Sequence, residues 1–165
     1  MNQNLHRAYL SLGSNENPKH YLLLAIAALK NEFGNIRLSP VYRTPAVGFD
    51  GPDFLNAAVL IETGWDVLQL DTWLHALEDA HDRKRDVPRF SSRTLDIDII
   101  FFDDLVMSGP SNLRIPRPEL KHAFVLKPLV DIAPDFRDPT TGETLIQSWR
   151  THSEYGKLMQ QICLD

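Results

Sequence analysis

The chain contains 165 residues, of which 43% are hydrophobic and 24% are charged, and its formal net charge is −5. This acidic balance argues against general nucleic-acid binding, and the lack of an apolar run of roughly 18 residues argues against a membrane span. We therefore expect one globular domain over residues 1–165, and a cytoplasmic one because its single cysteine, Cys163, has no partner for an internal disulfide.

Hydrophobic periodicity and turn residues divide the chain into strands and helices. In chain order, the predicted elements are a strand over 7–12, a helix over 18–33, strands over 36–44 and 54–62, a helix over 67–81, a strand over 95–102, a helix over 124–132 and a helical tail after 144. This order favours an α+β fold with a mostly antiparallel sheet and helices packed on one face. The opposite face of such a sheet would be open to a ligand.

A cluster of basic residues follows the second predicted helix. It consists of Arg83, Lys84, Arg85, Arg89 and Arg93, in a segment that Pro88 interrupts and that is predicted to be an irregular loop. A local positive patch in an acidic chain suits a compact polyanion, and arginine forks match phosphate oxygens. The alternative is a solvated basic loop.

Two carboxylates alternate with apolar residues on the strand after this loop. Leu95, Ile97 and Ile99 are predicted to face the core. Asp96 and Asp98 then share the other face, about 7 Å apart along the chain. Like charges at this spacing favour a bound cation, and magnesium prefers carboxylate and phosphate oxygens. With the arginines, the pair predicts a platform for two metal ions and a triphosphate; the alternative is the solvent face of an amphipathic strand.

The loop before the third strand has features that suit a flat heterocycle. Its proline and glycine residues can expose backbone N–H and C=O groups, and Asn56 offers both a donor and an acceptor. Phe54, Phe90 and Phe124 could enclose an aromatic ring. Core packing of the phenylalanines and turn stabilisation by Asn56 are the alternatives. The chain has no Walker A motif or Gly-x-Gly-x-x-Gly loop, so it lacks the usual glycine-rich phosphate cradles.

Several motifs together resemble the 6-hydroxymethyl-7,8-dihydropterin pyrophosphokinase family of folate biosynthesis. They are Tyr9-Leu10-Ser11-Leu12-Gly13-Ser14-Asn15, Tyr42-Arg43-Thr44-Pro45, Phe54-Leu55-Asn56-Ala57-Ala58-Val59, the stretch 78–98, Phe124-Val125-Leu126-Lys127-Pro128-Leu129 and Ile132-Ala133-Pro134. The arginine-rich segment followed by Arg-Thr-Leu-Asp-Ile-Asp is the most specific of them. The resemblance covers nearly the whole chain.

The resemblance implies a ferredoxin-like fold and transfer of diphosphate from ATP to a reduced pterin, with two magnesium ions and release of AMP. We also expect a monomer. Asp96 and Asp98 resemble the metal ligands, and Arg83 and Arg93 the arginines that assist transfer. Glu78, Arg85, Arg89 and the backbone of Ile99 resemble the nucleotide site. Residues that resemble the pterin pocket are Thr44, Pro45, Val47, Phe54, Asn56, Phe90 and Phe124.

The sequence departs from the family pattern on the triphosphate side. Pro116-Arg117-Pro118 stands where the family has a Pro-His motif. The segment Lys121-His122-Ala123-Phe124 is shortened, so one family arginine has no counterpart. Our hypothesis is that Arg117 binds ATP in place of the missing cation; Lys121 is the alternative. The alternatives are a pyrophosphokinase for a different pterin, a non-catalytic ferredoxin-like module that binds single-stranded RNA, and an inactive paralogue. The net charge disfavours the second, and the retained aspartates and loop arginines disfavour the third.

Overall fold

The computed structural model describes residues 5–81 and 94–164, and the statements below concern those residues. The described strands are β1 His6–Ser14, β2 Arg37–Leu38, β3 Val41–Thr44, β4 Phe54–Thr63, β5 Asp96–Phe102, β6 Met107–Ser108, β7 Arg114–Ile115 and β8 Gln160–Ile162. The described α-helices are α1 Pro18–Phe33, α2 Val67–Ala80, α3 Ala123–Ile132 and α4 Leu145–Arg150, and short 3-10 turns span Pro110–Asn112 and Pro118–Lys121.

Local sequence signals explain where the helices begin. Pro18 occupies the first turn of α1, where a missing N–H costs nothing. The side chain of Asp66 accepts a 2.8 Å hydrogen bond from the backbone N–H of Gln69 and caps α2. Thr144 and Gln147 form a reciprocal capping box at the start of α4. Within the described residues, the helices are too short or too polar to span a membrane.

The main sheet is antiparallel, with strand order β5-β1-β4-β3-β8 and with β2 paired to β4. The central strand β1 pairs along its whole length with β4. Its pairing with β5 contains a register shift between Tyr9 and Leu10. Strands β6 and β7 form a separate small sheet. The antiparallel prediction is therefore confirmed.

Helices pack on both faces of this sheet, so the prediction that they pack on one face is wrong. One core cluster joins α1 and α2 to side chains such as Leu12 and Ile61. A second joins α3 and α4 to Tyr9, Ala58 and Leu60 on the opposite face. The nearly unbroken buried run along β4 reflects this, because a strand covered on both faces need not alternate apolar and polar residues.

Two other elements differ from prediction. The strand predicted over 36–44 is divided at Ser39 and Pro40, where the Ser39 hydroxyl accepts a 2.8 Å hydrogen bond from the Ala58 backbone N–H. Proline has no N–H for the ladder, which explains the break. The tail after 144 is helical only over α4. It ends instead in β8, which pairs with β3 at the sheet edge.

Candidate active site

A cleft of about 530 Å³ lies at the end of the second sheet face that α3 and α4 leave uncovered. It is lined by residues from β1, β3, β4, β5, α2, the loop after β3, the segment before α3 and the first turn of α3. The lining residues are Ser11, Gly13, Thr44, Pro45, Val47, Gly48, Phe49, Phe54, Asn56, His75, Glu78, Asp96, Asp98, Arg117, Pro118, Glu119, Lys121, His122, Phe124 and Val125. This volume is in the range of small-molecule sites.

A row of paired residues crosses the floor of the cleft. Gly13 on β1 pairs with Asn56 on β4 and with Asp96 on β5, and Ser11 pairs with Asp98. Residues directly opposite in an antiparallel pair point to the same face. A Cβ at Gly13 would lie only 3.1 Å from the Asn56 side-chain oxygen, so glycine keeps the middle of the row open. The sheet register thus joins the carboxylate pair to the asparagine.

The carboxylates of Asp96 and Asp98 fit a divalent cation. Burial, and then the neighbouring charge of Asp96, raises the pKa of the Asp98 carboxyl well above its ordinary value. A cation would relieve this repulsion, and carboxylate oxygens are the ligands that magnesium prefers. In the described part of the chain, no group of three or more His, Cys, Asp and Glu residues could hold a metal. Magnesium usually takes one or two protein carboxylates together with phosphate oxygens.

Glu78 fixes the strand that carries the two aspartates. Its side chain is only 2% exposed. Its Oε2 accepts a 2.8 Å hydrogen bond from the backbone N–H of Ile97, which lies between Asp96 and Asp98. Glu78 therefore ties α2 to β5 at the level of the carboxylate pair.

Arg117 supplies a positive charge beside these carboxylates. Its Nη2 lies 3.3 Å from Oδ1 of Asp98, and its Nε lies 3.0 Å from Oε2 of Glu119. Burial alone would lower the pKa of the guanidinium, but the charges of Asp98 and Glu119 outweigh it and the net pKa is raised. The backbone N–H of Arg117 is bound to the Ile100 carbonyl at 3.1 Å, which anchors the residue to β5. Arg117 is thus a fixed, fully charged group in the cleft.

The other half of the cleft combines one polar pair with aromatic rings. The Asn56 side-chain amide donates a 2.6 Å hydrogen bond to the Thr44 hydroxyl, and Asn56 is only 4% exposed. The Phe124 ring stacks on the His122 ring, with centroids 4.8 Å apart and planes at 12°. Burial lowers the pKa of His122, so this ring is neutral at neutral pH. A fixed amide beside stacked rings suits a flat, polar-edged ligand.

The structure brings together most of the residues predicted for the two substrates. The predicted residues that line the cleft are Thr44, Pro45, Val47, Phe54, Asn56, Glu78, Asp96, Asp98, Arg117 and Phe124. The side chain of Ile99 is buried in the core on the other face; the role predicted for Ile99 concerns its backbone and stays a prediction. The remaining predicted residues, Arg83, Arg85, Arg89, Phe90 and Arg93, lie outside the described residues, and their roles stay predictions.

Some lining residues were missed by the sequence reasoning. His75 lies on α2 one turn before Glu78, a spacing that puts both on one helix face and could have revealed it. His122 and Glu119 belong to the segment before α3, which has no periodic signal. The sequence did not indicate that Ser11 and Gly13 line the cleft, and only their pairing with β5 places them there. Their place in the site depends on sheet register, which local sequence does not report.

Comparison with known proteins gives consistent results. A family model described as 7,8-dihydro-6-hydroxymethylpterin-pyrophosphokinase (HPPK) matches residues 9–134. The 2-amino-4-hydroxy-6-hydroxymethyldihydropteridine pyrophosphokinase of Synechocystis is 38% identical over 149 residues, covering 88% of this chain and 75% of the relative. The enzyme of the same name from Pseudomonas aeruginosa is 36% identical, covering 82% of this chain and 85% of the relative.

The fold also resembles solved structures. The wild-type HPPK-DHPS of Plasmodium falciparum matches with a TM-score of 0.67 and 15% identity, over 88% of this chain. This chain corresponds to 44% of that longer protein. At this identity the similarity concerns the mixed α/β fold alone.

Proposed function

Since the chain belongs to the 7,8-dihydro-6-hydroxymethylpterin-pyrophosphokinase family, we propose that its cleft binds ATP and a reduced pterin side by side. The enzyme transfers diphosphate from ATP to the hydroxymethyl group of 6-hydroxymethyl-7,8-dihydropterin, giving AMP and the pterin diphosphate. The observation that carries this proposal is the cross-strand row in which Gly13 pairs with both Asn56 and Asp96. That register supports a heterocycle subsite directly beside a metal–phosphate subsite.

The pterin subsite is assigned to the half of the cleft around Asn56. The hydrogen bond to Thr44 fixes the amide of Asn56, which lets it present hydrogen-bonding groups to the polar edge of a pterin. Phe54 and Phe124 offer faces for stacking. Pro45 and Val47 complete the wall, and Phe90 belongs to the same subsite by the family resemblance. These contacts would hold the hydroxymethyl group still for reaction.

The triphosphate is assigned to the half of the cleft around the two aspartates. Asp96 and Asp98 would hold two magnesium ions, which when bound neutralise phosphate oxygens and polarise the reacting phosphorus. Glu78 keeps β5 in place under them. Arg117 exchanges its contact with Asp98 for a phosphate oxygen when nucleotide enters. Arg83 and Arg93 assist transfer, and Arg85, Arg89 and the backbone of Ile99 contact the nucleotide.

In this arrangement the transfer is an in-line displacement. The hydroxymethyl oxygen attacks the β-phosphorus and forms the new P–O bond. The bond from that phosphorus to the oxygen bridging the α- and β-phosphates breaks, and AMP leaves with the electron pair. The hydroxyl proton passes to solvent. Positioning and charge neutralisation carry such a reaction, so the cleft needs no strong general base.

The proposal extends to the location, the oligomeric state and the domain organisation of the protein. We propose a cytoplasmic monomer that is a single domain over residues 1–165 and has no nucleic-acid or membrane partner. Counting β1, β3, β4 and β5 as the first to fourth strands, the order β5-β1-β4-β3 supports a ferredoxin-like β-α-β-β-α-β arrangement.

A coupled assay of AMP release tests the function. Purified protein is given ATP and reduced 6-hydroxymethylpterin, with and without magnesium, and reduced pterins with other 6-substituents serve as competing acceptors. We expect AMP release only when magnesium and the hydroxymethyl pterin are both present. AMP release without a pterin, or with a different pterin in preference, would refute the proposed substrate.

A further inference from the structure

The segment after α4 forms a hydrogen bond to the cleft wall through the side chain of His152. The ring of His152 lies beside Trp149, with centroids 5.4 Å apart. Its Nε2 lies 2.7 Å from the carbonyl oxygen of Lys121. Its Nδ1 accepts a 3.0 Å hydrogen bond from the backbone N–H of Glu154. Both ring nitrogens are therefore engaged.

These partners define the tautomer of the ring. The backbone N–H of Glu154 can only donate, so Nδ1 must accept, and the proton of the neutral ring lies on Nε2. That proton is donated to the Lys121 carbonyl. The ring thus accepts one hydrogen bond from the C-terminal segment and donates one to the turn before α3.

The Lys121 carbonyl, to which His152 donates, belongs to the segment that forms one wall of the cleft. Lys121 ends the 3-10 turn Pro118–Lys121, and the first hydrogen bonds of α3 run to the carbonyl of His122 instead. Lys121 and five of its neighbours between Arg117 and Phe124 line the cleft. A donor at the Lys121 carbonyl therefore fixes the path of the 117–124 segment as it enters α3.

We propose that His152 is a positioning residue for the pterin subsite. By holding the Lys121 carbonyl, it keeps the 117–124 segment in the conformation that presents Phe124 to the pterin, without touching the substrate. The apparent affinity of a ligand falls in proportion to the fraction of molecules whose site is correctly formed. This inference rests on the proposed function, because it assumes that the cleft binds a pterin.

Two substitutions separate the two hydrogen bonds of the ring. In His152→Gln the side-chain amide nitrogen takes the place of Nε2 and can still donate to the Lys121 carbonyl. In His152→Asn the shorter side chain can accept from Glu154 but does not reach Lys121. His6→Ala is the matched control, because it removes a 2.6 Å histidine–aspartate contact at the far end of β1, roughly 23 Å from Gly13.

The readout is the dissociation constant of the reduced pterin, measured by fluorescence titration in the presence of magnesium and a non-hydrolysable ATP analogue, together with the melting temperature of each variant. We expect His152→Asn to weaken pterin binding about five-fold and His152→Gln to change it less than about two-fold, the range that one hydrogen bond accounts for. His6→Ala should lower the melting temperature and leave pterin binding unchanged.

Equal pterin affinity in the wild type and in His152→Asn would overturn the positioning role. Equal losses of pterin affinity in His152→Asn and His152→Gln would also overturn it, because a merely structural role does not distinguish the two variants. If the wild type releases no AMP with reduced 6-hydroxymethylpterin, ATP and magnesium, the proposed function fails instead, and the two failures are thus distinct.

Discussion

At the scale of single residues, Gly13 sets the spacing between the two subsites. It pairs with Asn56 on one side and with Asp96 on the other, and a methyl group there would lie 3.1 Å from the Asn56 oxygen. Contact at that distance requires Asn56 to shift by a few tenths of an ångström. Glycine at this position lowers the stability of the strand but leaves Asn56 undisturbed.

Replacing Gly13 with alanine should weaken pterin binding without destabilising the fold. We expect the pterin dissociation constant to rise about three- to ten-fold, because Asn56 loses its alignment, while the melting temperature stays the same or rises. Pterin titration and thermal denaturation measure the two effects. Gly64→Ala is the control, since a Cβ at Gly64 meets no atom within 4 Å. Unchanged pterin affinity in Gly13→Ala would show that the spacing is not critical.

We propose that Arg117 changes its partner when nucleotide binds. It contacts Asp98 at 3.3 Å in the structure and is assigned to a phosphate when nucleotide is bound. Removing it should therefore have opposite effects on the two ligands. ATP binding loses a cation, while Asp98 loses a competitor for metal.

We expect Arg117→Ala to raise the KM for ATP about three- to ten-fold and to strengthen binding of free Mn²⁺ in the absence of nucleotide. Steady-state kinetics and electron paramagnetic resonance of Mn²⁺ measure the two quantities. Arg117→Lys keeps the charge without the planar fork, and should fall between the wild type and the alanine variant. No change in either quantity would contradict the exchange of partners.

At the scale of elements, a polar network joins β3 to α3 beside the second core. The Tyr42 hydroxyl donates to Oδ2 of Asp131, and Lys127 contacts the other oxygen of the same carboxylate. Burial, and then the hydrogen bond to Asp131, raises the pKa of Tyr42. Burial alone would lower the pKa of Lys127, but its hydrogen bonds to Asp131 and Tyr42 outweigh that and raise it.

This network predicts a loss of stability at alkaline pH. The pKa values of Tyr42 and Lys127 are higher in the folded state than in the unfolded chain, where they are about 10 or slightly higher. The contribution of both groups to the free energy of unfolding is therefore complete below those unfolded-state pKa values. It decreases as the pH rises through the higher folded values. Asp131→Asn should lower the free energy of unfolding by about 1 kcal/mol at pH 7 and flatten its decrease between pH 9 and 11.

Urea denaturation at a series of pH values measures this effect. Glu154→Gln is the matched control, because it removes a carboxylate from the exposed pair with Lys157, where solvent screens the interaction. A variant at Asp131 whose stability falls with pH as steeply as that of the wild type would contradict the role of the network.

Local sequence was sufficient where an element depends on its own residues. The helix predicted over 18–33 has the same bounds in the structure, because Pro18 and Gly34 delimit it. The alternation of β5 was also confirmed, with Leu95, Ile97 and Ile99 buried. Distant pairing was not visible. The edge strand β8 depends on contact with β3, and nothing in the three residues of β8 reports it.

At the scale of the whole molecule, the site exists because helices cover the second sheet face only in part. Packing of α3 and α4 on Tyr9 and Leu60 closes one end of that face. The other end is left as the cleft, with Asp96, Asp98 and Asn56 on its floor. Sequence reasoning identified these three residues but expected the whole face to be open. It could not foresee that the covering helices also form one wall of the cleft.

We propose that Asp96 and Asp98 hold the metal ions of a metal–nucleotide complex. The affinity of Mn²⁺ for the protein in the presence of a non-hydrolysable ATP analogue, measured by electron paramagnetic resonance, tests this metal site. Asp104→Asn is the control, because Asp104 is an exposed aspartate just beyond the end of β5. We predict that Asp98→Asn weakens Mn²⁺ binding about ten-fold or more while Asp104→Asn does not. Equal Mn²⁺ affinity in the wild type and in Asp98→Asn would contradict metal binding by this pair.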